Sequence, residues 1–364
     1  MSFATLTLPD NLRRDSIVDV RYHTEGYLQA LDRETLWYDA LWTGGRVCLV
    51  GPRLNNLLAP FRAARFALDG QPVRLARLRR YKRHYVAELR AARAPQRVSV
   101  QIGGWRGESA VNATEPAGFA RLNTLFMLQK DNDLHWIVDH ARFHQKVHGL
   151  QAVFFLDNGS SRYGLDEIEA ALAPLGLAQV TVLDAPWKYG PRGEKPHRNS
   201  EKYMQTALEN VARLRFLPAA RAVLNVDIDE LVASLDGTNV FDAAVRSRLG
   251  FVQIGAHWRL PAPGTDGPYT HADHTHMHNP PKRTAPKWCL APGGALGGFS
   301  WDVHGLERLP FLHGRTHKGL ELLHCRAVST GWKGAYRLNA PDGTRPDPVA
   351  IAALRAFDPL PQRP

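Results

Sequence analysis

A chain of 364 residues, 44% hydrophobic and 22% charged, is long enough for one large domain or two ordinary ones and too apolar to be disordered. Lys and Arg number 46 against 35 Asp and Glu; the net charge of +11 admits nucleic acid, anionic membrane or a phosphorylated substrate and selects none of them. Cys48, Cys289 and Cys325 lie far apart, which excludes a disulfide framework and matches a reducing compartment.

The opening "MSFATLTLPDNLRRDS" shows no secretory leader, and no segment approaches an apolar run of about 18 residues. A cytoplasmic protein is expected, able to touch the inner face of an anionic membrane through basic surface. Residues 1–120 read as a small, mostly-β domain. "SIVDVRY", "GGRVCLVG", "QPVRLARLRRYKRHYVAEL" and "QRVSVQIGGW" are short β-rich runs separated by Gly, Pro or Asn turns. Alternation from Val73 to Leu89 predicts an edge hairpin, with Arg79, Arg80, Lys82 and Arg83 as a basic surface.

From Leu122 the period changes. "TLFML" is a short buried run, and "DLHWIVDHARFHQKVHGL" has helical spacing and a glycine stop. "QAVFFLDNGS" predicts a strand, "GLDEIEAALAPLGL" a helix and "AQVTVLDAP" a strand. A helix follows over roughly Asn199 to Leu214, then the strand "AVLNV". Alternating strands and helices imply an α/β fold with a mostly parallel, Rossmann-like sheet flanked by helices. The domain is expected over residues 121–345, with a C-terminal helix or tail over 346–364. Ligands of such sheets sit beyond the C-terminal strand ends, where "QKDND", "DNGSS" and "DIDE" fall.

The acids of "NVDIDELV" are the most informative stretch. Asp227 and Asp229 stand two apart where a strand leaves the sheet, and an extended chain would point both to one side, able to grip a divalent cation through oxygen. The alternative is a capped helix over "ELVASL", with Glu230 supporting the cap. Asp157 and Asn158 open the polar turn "DNGSS", suited to a base or ribose or simply an Asx turn. Neither the G-x-G-x-x-G nor the P-loop pattern is present.

"MLQKDNDLHWIVDHARFHQKVHGLQAVFFLDNGSS", "LNVDIDELV", "PKWCLAP", "DVHG" and "LLHCRAVS" together resemble GT-A glycosyltransferases of the family 2 and family 92 type, over about Leu122 to Arg337. Lys130 and Asn132 stand near that family's Arg-Asn-Glu stretch, with Lys in place of Arg, and Cys325 replaces an aromatic residue. The resemblance implies a GT-A fold, a nucleotide-sugar donor, a Mn²⁺ or Mg²⁺ ion and an inverting attack by a hydroxyl of a glycan or other polar acceptor. It implies donor contacts for Lys130, Asn132, Asp157, Asn158, Asp227 and Lys287. Asp229, with Asp227, would meet the metal.

Other candidates come from the residues themselves. His324 could ligate the metal or bond diphosphate; Arg326, and Arg198 at a helix start, could grip an anionic group. Glu230 and Asp302 are equal candidates for the base that takes the acceptor proton. His257 and Trp258 stand at a strand end after "GFVQI"; in the resembled families the strand after the paired acids leads into the acceptor region, which implies acceptor contacts here, with Trp258 either stacking on a sugar ring or serving as a core or interface residue. "HADHTHMHNPPKR" holds alternate histidines that could bind Zn²⁺, but its Gly, Pro and Thr surroundings favour a surface loop near the acceptor. Competing functions are a nucleotidyltransferase and a non-catalytic polysaccharide or nucleic-acid binding module. Acids at the strand ends would repel a polyanion, so nucleic acid is not expected as a partner.

Overall fold

The computed structural model describes residues 1–312, 314–330 and 343–358. The end of the family-like stretch, 331–337, and the tail residues 359–364 lie outside them. The chain divides into two compact units. The first comprises Met1–Ala117, Pro186–Pro218 and Ser300–Asp302; the second comprises Gly118–Ala185, Ala219–Phe299 and Val303–Pro364.

The first unit is β-rich. Arg65–Leu68, Gln71–Val73, Arg97–Ile102 and Trp105–Ala110 form a four-stranded antiparallel sheet. Asp39–Trp42, Arg46–Pro52, Leu75–Arg80, His84–Arg90 and Asn112–Ala113 form a five-stranded one. Trp37, Leu49, Phe61, Phe66, Tyr85 and Val98 fill the core. The helix Tyr203–Arg215 belongs to this unit. It is buried nearly all round and packs on the strands Arg46–Pro52 and His84–Arg90. Its Arg215 donates to Asp39 Oδ2 (3.0 Å) and Glu115 Oε1 (2.5 Å). The expected basic hairpin forms, but its charge is divided. Arg77, Arg80 and Lys82 are exposed, whereas Arg79 pairs with Glu88 (3.0 Å) and Arg83 lies 3.5 Å from Asp302.

The second unit is built on a ten-stranded mixed sheet. Its first half is parallel: β1 (Asn123–Gln129), β2 (Ala152–Asp157), β3 (Gln179–Asp184) and β4 (Ala222–Asn225) lie in the order β3-β2-β1-β4. These are continuous apolar runs because both faces are covered. α1 (Leu134–His148) follows β1 and ends at Gly149, whose φ of 66° supplies the left-handed cap. α2 (Leu165–Leu172) follows β2 and packs on β3. β4 leads through a tight turn to β5 (Glu230–Ser234). α3 (Val240–Arg246) comes next, capped by the Asn239 side chain on the amides of Phe241 and Asp242.

The second half of the sheet is largely antiparallel. β6 (Phe251–Leu260), β7 (His276–His278), β8 (Arg283–Leu290), β9 (Thr316–Cys325) and β10 (Thr344–Pro346) continue from β4 in the order β4-β8-β6-β7-β10. β9 pairs parallel with β6 and antiparallel with β5. α4 (Pro348–Leu354), capped by Asp347, is followed by a short 3-10 turn, Arg355–Phe357, at the end of the described chain. No helix among the described residues is long and apolar enough to cross a membrane. The unit is a mixed α/β fold whose parallel strands all end on one edge. Asp157 and the acids after β4 both lie at that edge, but β1 stands between β2 and β4, so they are not at adjacent strand ends.

Candidate active site

After the buried Val226 the chain turns over Asp227–Glu230. The Glu230 amide donates to the Asp227 carbonyl (3.0 Å), and the Glu230 carboxylate reaches back to accept the Asp227 amide (2.8 Å). Glu230 then opens β5, so the capped helix over "ELVASL" is not what forms. Leu231, Val232 and Ala233 are buried strand residues paired with β9. Because the chain turns rather than staying extended, Asp227 and Asp229 find different partners.

Lys287, from β8, is wholly buried and sets its Nζ 2.9 Å from Asp227 Oδ1 and 3.5 Å from Glu230 Oε2. His324 lies directly opposite Glu230 in the β5–β9 register. Its Nε2 is 3.1 Å from Asp229 Oδ2, and its Nδ1 is 3.2 Å from Thr284 Oγ1. The Trp258 ring lies against the His324 ring, 3.9 Å between centroids. Three carboxylates, an ammonium and an imidazole from three strands and a turn thus converge at the C-terminal edge of the parallel strands. Burial pushes the Glu230 carboxyl up to about 7; the Lys287 ammonium pulls it down, and the neighbouring Asp227 and Asp229 push it up.

Beneath the turn is a set of histidines whose roles sequence reasoning missed. His140, His144 and His148 stand at i, i+4 and i+8 on α1 and therefore share one face. His140 Nε2–H donates to the Glu230 carbonyl (2.8 Å) and His148 Nε2–H to the Val232 carbonyl (2.8 Å). His144 Nε2 accepts the Val232 amide (3.3 Å) while its Nδ1–H donates to the His140 carbonyl (2.8 Å). His271 Nε2–H donates to the Ile228 carbonyl (2.8 Å). His274 bridges the Thr270 carbonyl (2.9 Å) and the Ala327 amide (3.0 Å). Burial lowers all five imidazoles: His140, His148 and His274 to about 4, His271 to about 3, and His144 well below its usual value. They are neutral side chains that bond backbone. His271 and His274 are fully buried, which corrects the expectation of a surface loop there. The H-x₃-H-x₃-H spacing in "HARFHQKVH" was the available signal.

The remaining candidates fall as follows. Asp157 is buried, and its carboxylate accepts the Ser160 amide (2.7 Å), the Ser160 hydroxyl (2.5 Å) and the Gln129 amide group. Asn158 Nδ2 donates to the Ala185 carbonyl (2.6 Å), and buried Asn132 lies 3.4 Å from Gln129 Oε1. These groups therefore hold the polar turn together; Lys130 beside them is exposed. His257 and Trp258 are consecutive in β6 and face opposite sides of the sheet. Only Trp258 meets His324; His257 Nδ1 pairs with Glu321 (2.9 Å), which also accepts from Arg259 (2.7 Å). Arg326 is half-buried and follows β9, its amide bonded to the Arg259 carbonyl (2.9 Å). Arg198 and Asp302 belong to the first unit, where Asp302 faces Arg83 and Thr206. Among the described residues, no group of three or more His, Cys, Asp and Glu side chains could hold a metal ion.

The chain matches no protein-family model and no curated protein. Among solved structures it is similar to S. aureus TarS 1–349, at 14% identity over 43% of this chain and 41% of that one, TM-score 0.25. The same TarS segment in complex with UDP gives 14% identity, 43% and 40% coverage, and TM-score 0.25. GalNAc-T7 with UDP, GalNAc and Mn²⁺ gives 11% identity, 56% and 44% coverage, and TM-score 0.29. The chain thus spans about two-fifths of the length of each TarS structure it matches. Likenesses at these scores add nothing to what the site's own geometry supports.

Proposed function

We propose that the protein is a metal-dependent glycosyltransferase that moves a sugar from a nucleotide-sugar donor to a hydroxyl of a glycan or other polar acceptor, with inversion. The observation that carries this reading is the pairing of Asp229 with His324 at the C-terminal edge of a parallel sheet. The Asp229 Oδ2 to His324 Nε2 separation of 3.1 Å matches the edge between two neighbouring ligands of one cation whose bonds are about 2.1 Å long. Asp229 and His324 would hold the ion, leaving its other positions for diphosphate and water. An imidazole in the set favours Mn²⁺ over Mg²⁺, which prefers oxygen alone. The ion would supply neutralising charge to the departing diphosphate.

In this reading the other residues position Asp229 and His324. Lys287 neutralises Asp227 and Glu230, so that the turn can hold three carboxylates. Glu230 is bonded inward to the Asp227 amide and so shapes the turn rather than taking the acceptor proton. Trp258 and Thr284 fix the His324 ring. Calorimetric titration with UDP, GDP and CDP tests the proposal. One of the three should bind wild type only with Mn²⁺ present, and Asp229→Asn should weaken that binding on the order of tenfold or more. Sugar transfer at full rate in the presence of a chelator would refute it; incorporation of a nucleotide from an NTP would replace it with a nucleotidyltransferase.

A further inference from the structure

β5 has two edges. Its odd-numbered residues face β9, as in the bond from the Cys325 amide to the Asp229 carbonyl (2.7 Å). Its even-numbered side has no partner strand among the described residues. In place of a strand, the carbonyls of Ile228, Glu230 and Val232 accept from His271, His140 and His148, and the Val232 amide donates to His144. Four imidazoles from α1 and the segment Thr270–His274 therefore do the work of a neighbouring strand. The two nearest the acids flank Asp229: His271 holds the peptide on one side of it, at Ile228, and His140 holds the next but one, at Glu230.

We propose that His140 and His271 are positioning residues that set the direction in which Asp229 and Glu230 leave the turn, while His144 and His148 extend the same ladder along the strand for stability. An imidazole suits this task better than a strand would. It offers a single donor at a fixed reach. His140 and His271 each donate through Nε2, which fixes the neutral tautomer. The role of the turn in presenting Asp229 to a ligand rests on the function proposed above; the ladder itself does not.

The two parts are tested separately. Amide hydrogen exchange reads the turn without any ligand. His140→Leu should speed exchange at the Asp227 and Glu230 amides on the order of tenfold, leaving the Leu231 and Ala233 amides on the β9 side slow. His148→Leu removes an equivalent bond further along and should leave the Asp227 and Glu230 amides unchanged. His140→Gln, which keeps a donor at similar reach, should restore slow exchange. If His140→Leu does not fold, His140→Asn, whose amide falls short of the carbonyl, takes its place. Unchanged exchange at Asp227 and Glu230, or equal effects from the His140 and His148 variants, would overturn the proposal. Nucleotide titration with Mn²⁺ is the second readout. Affinity should fall with His140→Leu and His271→Leu but not with His148→Leu, and a uniform response across the three would refute the positioning role. Wild type that binds no nucleotide would remove the proposed function, while the exchange data would still decide the ladder.

Discussion

Replacing Lys287 by Met keeps most of the side-chain volume and removes the only ammonium beside the acidic turn among the described residues. At 2.9 Å from Asp227 and 3.5 Å from Glu230, its attractions are about 6 and about 5 kcal/mol at an effective dielectric near 20. The measured loss should be smaller, because the carboxylates can take up a proton instead of remaining as unpaired charge. Breaking a buried pair costs about 3–5 kcal/mol, and that range is expected at pH 9. The pH dependence is the sharper test. Glu230 already stands at about 7, above its unfolded value near 4.5, so the folded state binds the extra proton and stability falls as pH rises through the folded value. Losing Lys287, which pulls Glu230 down, extends that fall to higher pH. The gap between wild type and Lys287→Met should therefore widen by at least about 1 kcal/mol from pH 6 to pH 9. Urea unfolding with a chelator present measures it. A gap that is constant with pH, or below about 1 kcal/mol throughout, would show that Lys287 does not neutralise these acids.

Acid should act on the histidines with the opposite sign. Their folded values lie below the usual 6.5, so the unfolded chain binds more protons and stability is complete above 6.5 and lost as pH falls toward 4. A shift of about 2.5 units corresponds to about 3 kcal/mol for His148, and urea midpoints should drop steeply over that range; His148→Gln should flatten the drop. In the first unit, Arg215→Met leaves buried Asp39 without its guanidinium partner at 3.0 Å and should cost about 3–5 kcal/mol by urea unfolding; a loss under about 1 kcal/mol would contradict the pairing.

The parallel strands were legible because each is a continuous apolar run bounded by polar turns, and α1 because its period ends at a glycine. The helix after β3 was legible as a helix, but not as part of the first unit. A helix buried on nearly every side does not reveal in sequence which neighbours bury it. The acids were located at a strand end, where they are; their separate partners were not legible, since Lys287 and His324 come from strands 60 and 97 residues beyond Asp227. Single histidines suggest ligands or surface, and only their repeat along α1 carries the backbone-bonding role. His257 and Trp258 were read as a pair, although alternation along a strand sends neighbours to opposite faces.

β9 carries two unrelated sets of contacts back to back. Glu321 bonds Arg259 and His257 on one face, and three positions later His324 meets Asp229 on the other. Parity along that strand is therefore inherited as a unit. A single-residue deletion between Glu321 and His324 would break the phase between the two, turning either the imidazole away from the acids or the Glu321 carboxylate away from Arg259 and His257. Changes of length earlier in the segment, before the β5 pairing begins at Leu320, leave the phase intact. Among descendants of this chain, loops ahead of β9 can grow or shrink freely, while the six residues from Leu320 to Cys325 must be kept to a fixed count.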